Sequence, residues 1–401
     1  MNRSLKFAAP LVLAFAFAGC NAGGMSSVPA QGGQSVAPTS QLTPAESLQG
    51  RRACPGSRTG GQMQCDAIIE REGVISPDVA GWAPTNFQAR YKLPITKGAG
   101  QIVAIVDAFD NPNVTSDLAA FRTEFGLGTA NFTKYNQTGQ VGNYPVGNAG
   151  WGAEIDLDVE MVSSSCPLCT IYLIEANDNY TNNLDAAEKE AVKLGATIVT
   201  NSFSGGGGSA SGGAFDAPGV TYLASAGDGG YGLGDPADYT TVVSVGGTLL
   251  SHAGSPPVYA EAVWPLSGGG CSVVSKPSWQ HDPKCNKRTG NDTAAVAAGV
   301  AFYDTYQSHG WGTIGGTSVS SPLVAGMYAL KGNSTQQTGG KNIWTLSKKK
   351  NKRDFNYIST GKINGCPASL QGTYLCQAGT NQFGRYSGPD GWGTPKGVGG
   401  L

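Results

Sequence analysis

Histidine is scarce here, with three in 401 residues, at positions 252, 281 and 309. They stand in Ser-His-Ala-Gly, Trp-Gln-His-Asp-Pro and Gln-Ser-His-Gly-Trp. None has the helix N-terminal setting of a catalytic imidazole, and each reads as a surface or turn histidine. Charge is sparse too. Charged residues make up 14% of the chain and the formal net charge is −1. No basic stripe or arginine-rich run is present, which argues against nucleic acid as a partner. The one short basic run, Lys348–Lys350 with Lys352 and Arg353, reads as a solvated loop. Long apolar runs are also missing from the N-terminus. The stretch 7–17 is mostly apolar but too short for a permanent membrane span.

What the chain does hold is 40% hydrophobic residues and 60 glycines, the composition of a loop-rich, exported globular protein. Its length fits two or three average domains, or one large α/β domain of about 300 residues. A cationic start, Asn2-Arg3-Ser4-Leu5-Lys6, precedes the apolar stretch, and residues 1–20 read as a signal peptide. It ends in Phe17-Ala18-Gly19-Cys20. Small residues before a cysteine resemble a bacterial lipobox, in which Cys20 carries the lipid. Phe17 in place of the usual leucine leaves simple secretion as the alternative. Nine cysteines are present. With Cys20 set aside, eight fall into neighbouring pairs, 54–65, 166–169, 271–285 and 366–376. This pairing rests on proximity, since eight cysteines allow 105 connectivities. Cys166-Pro-Leu-Cys169 is a lone CxxC with no second pair and few histidines beside it, so disulfides in an oxidising compartment are expected rather than zinc.

Residues 21–80 read as a tether, rich in Gly, Ser, Gln, Pro and Ala to about residue 48, followed by a short segment with Cys54 and Cys65. Residues 81–401 read as the globular domain. Short, continuously apolar runs at 101–106, 170–175, 196–200, 220–224 and 241–245 suit strands buried on both faces of a parallel sheet. Helical stretches are expected at 114–125, about 151–164, 182–194, and from about Thr317. The alternation predicts a three-layer, doubly wound α/β fold, with its site at the carboxyl ends of the strands. Asp107, Asn201-Ser202 and Gly227-Asp228 fall just past strand ends and so face one rim.

Gly315-Gly316-Thr317-Ser318-Val319-Ser320-Ser321-Pro322 is the strongest local signal. Glycines allow a sharp turn into a helix whose unpaired N–H groups and dipole favour negative charge beside Ser318. Pro322 is placed in the first turn, where a missing N–H costs little. On local chemistry alone, Thr317 or Ser318 is also an ordinary N-cap. A serine nucleophile needs a base, and acids are on offer in Trp151-Gly-Ala-Glu154-Ile-Asp156-Leu-Asp158-Val-Glu160. Ile155, Val159 and Val162 make an apolar stripe. Glu154 and Asp158 share one face beside it, and Asp156 and Glu160 share another. Partial burial of one pair would raise a carboxyl pKa and let the pair share a proton. A solvated acidic helix is the plainer alternative, and spacing does not choose between the pairs.

Taken together, these residues resemble the sedolisin family, serine-carboxyl peptidases with a subtilisin-like fold, over roughly residues 81–401. The resemblance is carried by Gly316-Thr317-Ser318 with Pro322, by Glu154-Ile-Asp-Leu-Asp158 with its Leu-Asp-Val-Glu continuation, and by Ser225-Ala-Gly-Asp228. Val245-Gly-Gly-Thr248, Lys276-Pro-Ser-Trp-Gln280 and Gly391-Trp-Gly-Thr-Pro395 add to it. It implies that Ser318 is the nucleophile, Glu154 its base, and Asp158 the residue that orients and charges Glu154. It implies further that protonated Asp228 donates to the oxyanion and that the enzyme works in acid. Asn201-Ser202-Phe203-Ser204-Gly205 resembles the edge that pairs with substrate backbone, so Ser202, Phe203, Ser204 and Gly205 are expected to bind substrate. Asp107, a position that invites an Asp-His-Ser triad, reads as structural. The family's calcium site departs from pattern, with Tyr357 and Ser387 at the expected carboxylate positions and Asp354 and Asp390 off register. No metal or other cofactor is therefore expected. About 60 residues separate Cys20 from residue 81, fewer than the family's large prodomain needs. Expected partners are peptide or protein substrates, with membrane contact only through a lipid on Cys20, and a monomeric chain. The alternative function is a weakly catalytic surface lipoprotein that binds peptides in the same cleft.

Overall fold

The computed structural model describes residues 50–56, 60–73, 81–206, 213–332 and 339–401. The leader at 1–20, Cys20 and the tether at 21–48 lie outside the described residues. The first strands are β1 (Arg51–Arg52), β2 (Gln64–Cys65) and β3 (Ile68–Arg71). Next come α1 (Pro84–Tyr91), β4 (Ile102–Ala108), α2 (Val114–Glu124), β5 (Asn131–Asn136), α3 (Ala149–Ser165) and β6 (Thr170–Ala176). They are followed by α4 (Thr181–Lys193), β7 (Ile198–Asn201), β8 (Phe203–Ser204) and β9 (Thr221–Ser225). The remaining chain gives β10 (Val242–Ala253), β11 (Val258–Val263), β12 (Gly270–Ser275), β13 (Lys287–Gly290), β14 (Thr293–Val296), β15 (Val300–Asp304) and β16 (Gly310–Gly315). Helices α5 (Thr317–Lys331) and α6 (Lys341–Asp354) complete the elements used below. No helix among the described residues is long and apolar enough to cross a membrane.

The central sheet runs β11-β10-β9-β7-β4-β6-β5, with β14 also paired to β10. All neighbours are parallel except β10 and β11. Strand β4, Ile-Val-Ala-Ile-Val-Asp-Ala, is buried from Val103 onward between β6 and β7. A strand covered on both faces has no polar side to show, hence the unbroken apolar run. The expected apolar runs are all in this sheet. Strand β5, Asn-Phe-Thr-Lys-Tyr-Asn, is an edge strand with a half-exposed, mixed sequence, and carries no such run. Helices pack on the sheet in the three-layer, doubly wound, subtilisin-like α/β arrangement. Helices α3 and α5 lie against each other, and α4 rests on β4 and β6. Gly326 allows the close α3–α5 approach, because a Cβ there would collide with the Ser165 hydroxyl.

Two local expectations change. Residues 50–56 and 60–73 are part of the folded unit. Strand β3 pairs antiparallel with β16 and with β1, and β15 closes this second, four-stranded sheet. Strand β3 therefore joins the strand that leads into Ser318. Pro322 is the sixth residue of α5, past the first turn. Its missing N–H leaves the Ser318 carbonyl without its usual helical donor, and the Ser202 hydroxyl lies 3.5 Å from that oxygen. All four expected disulfides are present, Cys54–Cys65, Cys166–Cys169, Cys271–Cys285 and Cys366–Cys376.

Candidate active site

Helix α5 begins after Gly316, whose φ of 121° is open to glycine and strained for other residues. The turn sets Ser318 at the second helical position, fully buried. Its hydroxyl donates to the Ser202 carbonyl at 3.3 Å. Helix α3 begins at Asn148, whose side chain accepts from the amides of Gly150 and Trp151 at 3.0 and 3.1 Å. From Trp151 to Ser165 every residue of α3 is buried. A solvated acidic face, the plainer expectation, is thus overturned. The flanking elements α1, α2, α5, β4 and β15 enclose the helix on all sides.

Enclosure splits the four acids of α3 into two groups. Glu154 and Asp158 face Ser318 and Ser202. Asp158 accepts from the Ser202 hydroxyl at 2.7 Å. Neither Glu154 oxygen has a hydrogen bond of full geometry. Ser318 is close enough to favour the ionised Glu154, although its proton points to Ser202. A serine hydroxyl is a single rotor, and one turn changes its partner. Burial, then Asp158, then Asp107, hold Glu154 well above the ordinary carboxyl range. Burial raises Asp158 likewise, and the Ser202 hydroxyl partly offsets it. Asp107, at the end of β4, has both oxygens buried without hydrogen bonds and is raised by burial, Asp158 and Glu175. Three mutually repelling carboxyls in one dry space hold fewer charges than groups.

Asp156 and Glu160 face the other way. Asp156 accepts from Asn111 Nδ2 at 2.6 Å, and Glu160 from the Tyr303 amide at 3.2 Å. Asp117 on α2 and Asp304 at the end of β15 complete this second group. Asp117, Asp156 and Asp304 each bring an oxygen within 4.8 Å of the others. Of the two residues read from the sequence as replacing calcium carboxylates, Tyr357 donates its hydroxyl to Asn381 Oδ1 at 2.9 Å and Ser387 donates its hydroxyl to Asp390.

Asp228 follows β9 and lies beside the α5 N-terminus. Its Oδ1 accepts from the Thr317 amide at 2.8 Å and the Thr317 hydroxyl at 2.9 Å, while Oδ2 is buried without a partner. Burial and Asp66 raise its pKa well above the usual value, opposed by Thr317 and Arg52. Asp66 was not singled out by any sequence motif. It is fully buried and accepts from the hydroxyls of Ser204 and Ser225 at 2.7 and 2.8 Å. Only its place directly after Cys65, which closes a disulfide loop, hinted at an ordered position. The expected substrate edge, Ser202, Phe203, Ser204 and Gly205, is buried in one run along the cleft. Phe203–Ser204 pairs with Gln64–Cys65. All three histidines are exposed, and His252 packs edge-on to Trp82 and Tyr259.

A model of the subtilase family matches residues 139–352, more than half of the chain. Sedolisin of Pseudomonas sp. (strain 101) is 25% identical over 371 residues, covering 80% of this chain. The chain spans 60% of the length of that relative. The solved structure of Pseudomonas sedolisin, a serine-carboxyl proteinase complexed with two molecules of pseudo-iodotyrostatin, superposes with a TM-score of 0.65 at 24% identity. It covers 79% of this chain and 96% of its own. Fold, ordered motifs and family match agree: the chain belongs to the subtilase family, and in sequence and fold it is similar to sedolisin.

Proposed function

We propose that this chain is a serine-type peptidase that cleaves peptide bonds in acid with carboxyls in place of histidine. One observation carries the proposal: the buried Glu154–Asp158 pair lies beside Ser318 while every histidine is at the surface. Ser318 Oγ attacks the scissile carbonyl carbon. Glu154, ionised, takes the serine proton and later returns it to the leaving amine. Asp158, held by Ser202, orients Glu154 and shares its proton. The developing oxyanion is met by the Ser318 amide and by protonated Asp228, whose unpartnered Oδ2 is available as the donor atom. Burial favours the protonated Asp228 that this role needs. Ser202, Phe203, Ser204 and Gly205 hold substrate backbone. No metal takes part in this scheme.

The sign of the pH dependence follows. Glu154 must be ionised, so the rate falls as pH drops through the titration of its pair. Asp228 must be protonated, so the rate also falls as pH rises through its own titration. Export through the leader at 1–20 completes the proposal, supported by the four disulfides. The test is cleavage of a mixed peptide library from pH 3 to 8, with products read by mass spectrometry. The wild type is expected to cleave in the acid range and Ser318→Ala and Glu154→Gln to be inactive. Equal cleavage by Ser318→Ala would refute the mechanism. Binding without cleavage by the wild type would favour the peptide-binding lipoprotein instead.

A further inference from the structure

Strand β5 ends the central sheet, and β6 alone among the described strands holds it there. An edge strand is paired on one side only and is open to fraying. The one charged residue of β5, Lys134, turns inward. Its side chain is 9% exposed, and its ammonium donates to Asp110 Oδ1 in the turn after β4. It also donates to the Asn111 carbonyl at 3.0 Å. Glu175 in β6, fully buried, brings Oε1 to 3.6 Å from Lys134 Nζ. An amine, an acid against it and a second acid beside both thus converge from three segments.

The surroundings are dry. The Tyr144 ring covers the Lys134 nitrogen, 4.0 Å from the ring centre. Glu175 Oε1 accepts from the Asn111 amide at 3.3 Å, while Oε2 is buried without a partner. Burial raises the Glu175 carboxyl from 4.5 to about 9, opposed by Lys134 and reinforced by Asp110, which lies within hydrogen-bond reach. Glu175 is therefore a proton carrier placed at the junction of the other two groups. Burial penalises charge, and one proton passed from Lys134 to Asp110 leaves a neutral amine against a neutral acid. An amine held in that position is a nucleophile already on its electrophile.

We propose that Lys134 and Asp110 join in an intramolecular isopeptide bond, with Glu175 moving the protons, so that edge strand β5 is covalently stapled to the turn after β4. Lys134 Nζ attacks Asp110 Cγ, and protonated Glu175 donates to the carboxyl oxygen on which charge develops. The N–C bond forms. Glu175 then takes a proton from Nζ and passes it to the departing hydroxyl. The C–O bond breaks and one water leaves. Acid and amine give amide and water, with no oxidant, metal or other reactant, and Glu175 ends as it began. A cavity of about 440 Å³, lined by Asp110, Lys134 and Tyr144 among others, adjoins the pair and receives the water. An ion pair at this place weakens in acid as its carboxylate takes up a proton, whereas an amide does not titrate. No residue of the peptidase mechanism takes part, so the staple stands or falls apart from that reading.

The test is peptide mass spectrometry of the full chain carrying Ser318→Ala, which removes self-digestion. The folded protein is incubated, then unfolded, reduced, alkylated and cut with trypsin. An unlinked chain gives one peptide of residues 98–122, with Asp110, and another of residues 123–134, ending in Lys134. A linked chain resists cleavage after Lys134. It is expected to give 98–122 joined to 123–189, lighter than their sum by one water, with fragmentation placing the link between Asp110 and Lys134. Lys134→Arg keeps the positive charge and is expected to give unlinked peptides only. Glu175→Gln keeps the shape but carries no exchangeable acid proton, and linking is expected to slow about 10²-fold or more. Recovery of 123–134 wholly unlinked from the folded Ser318→Ala chain overturns the proposal and leaves a buried ion pair. A link from Lys134 to Glu175 instead, seen as 123–189 alone and lighter by one water, also overturns it. Linking at an unchanged rate in Glu175→Gln overturns the part given to Glu175. The Ser318→Ala chain by itself decides whether the bond forms, so the test survives a Glu175 variant that fails to fold.

Discussion

Asp304 offers a quantitative check on the buried acids. It is 2% exposed and accepts from the Tyr306 amide at 2.8 Å. Asp156, Asp117 and Glu160 face it from α3 and α2. Burial raises its pKa from 3.8 to about 6, partly offset by hydrogen bonds from Tyr306, Asp156 and Ser308. A carboxyl whose folded pKa exceeds its unfolded value binds its proton more tightly when folded. Its contribution is therefore complete below about pH 4 and is lost as pH rises to about 6. Roughly two units at about 1.4 kcal/mol each amount to about 3 kcal/mol. For a chain of this size that is about 6 °C in Tm. Asp117, Asp156 and Glu160 are shifted in the same direction and steepen the trend. The assay is thermal and urea unfolding of Ser318→Ala between pH 4 and 7, with EDTA present so that no cation replaces the protons. Stability is expected to fall over that range. Asp304→Asn keeps an acceptor for the Tyr306 amide and is expected to flatten the fall by about 3 kcal/mol between the two ends. Parallel pH profiles for the two proteins would refute the reasoning, as would a wild-type stability that rises with pH.

Other perturbations test other parts of the structure. Asp228→Ala removes the carboxyl donor from the oxyanion position, and kcat is expected to fall about 10²–10³-fold with KM little changed in steady-state kinetics. Ser202→Ala removes the hydroxyl that favours ionised Asp158, so the acid limb of the pH–rate profile is expected to move to higher pH. Gly326→Ala places a methyl against Ser165 across the α3–α5 contact and is expected to cost about 1–3 kcal/mol in urea unfolding. Replacing Cys366 and Cys376 together by serine opens a loop of sequence separation 10 and is expected to cost about 3 kcal/mol in the same measurement.

Short-range physics made much of this protein legible from its residues. Continuous apolar runs marked the strands buried on both faces, because a strand with no solvent side has no use for alternation. Gly316-Thr317-Ser318 marked the start of α5, because a sharp turn before a helix calls for glycine. Eight cysteines close together in four pairs found their neighbours. Helical spacing also put Glu154 with Asp158 and Asp156 with Glu160, but the two pairs are equivalent along an isolated helix. Only packing distinguishes them, by setting Ser318 against one pair and Asp304 with Tyr303 against the other. Likewise, no local pattern marks residues 64–71 as partners of β8 and β16, which lie more than a hundred residues away. Pairing of that kind is decided by which sheet edges remain open once the core has formed. Burial of a carboxylate is decided in the same way, by every element that closes over it, so the charge state of this cleft is a property of the assembled fold.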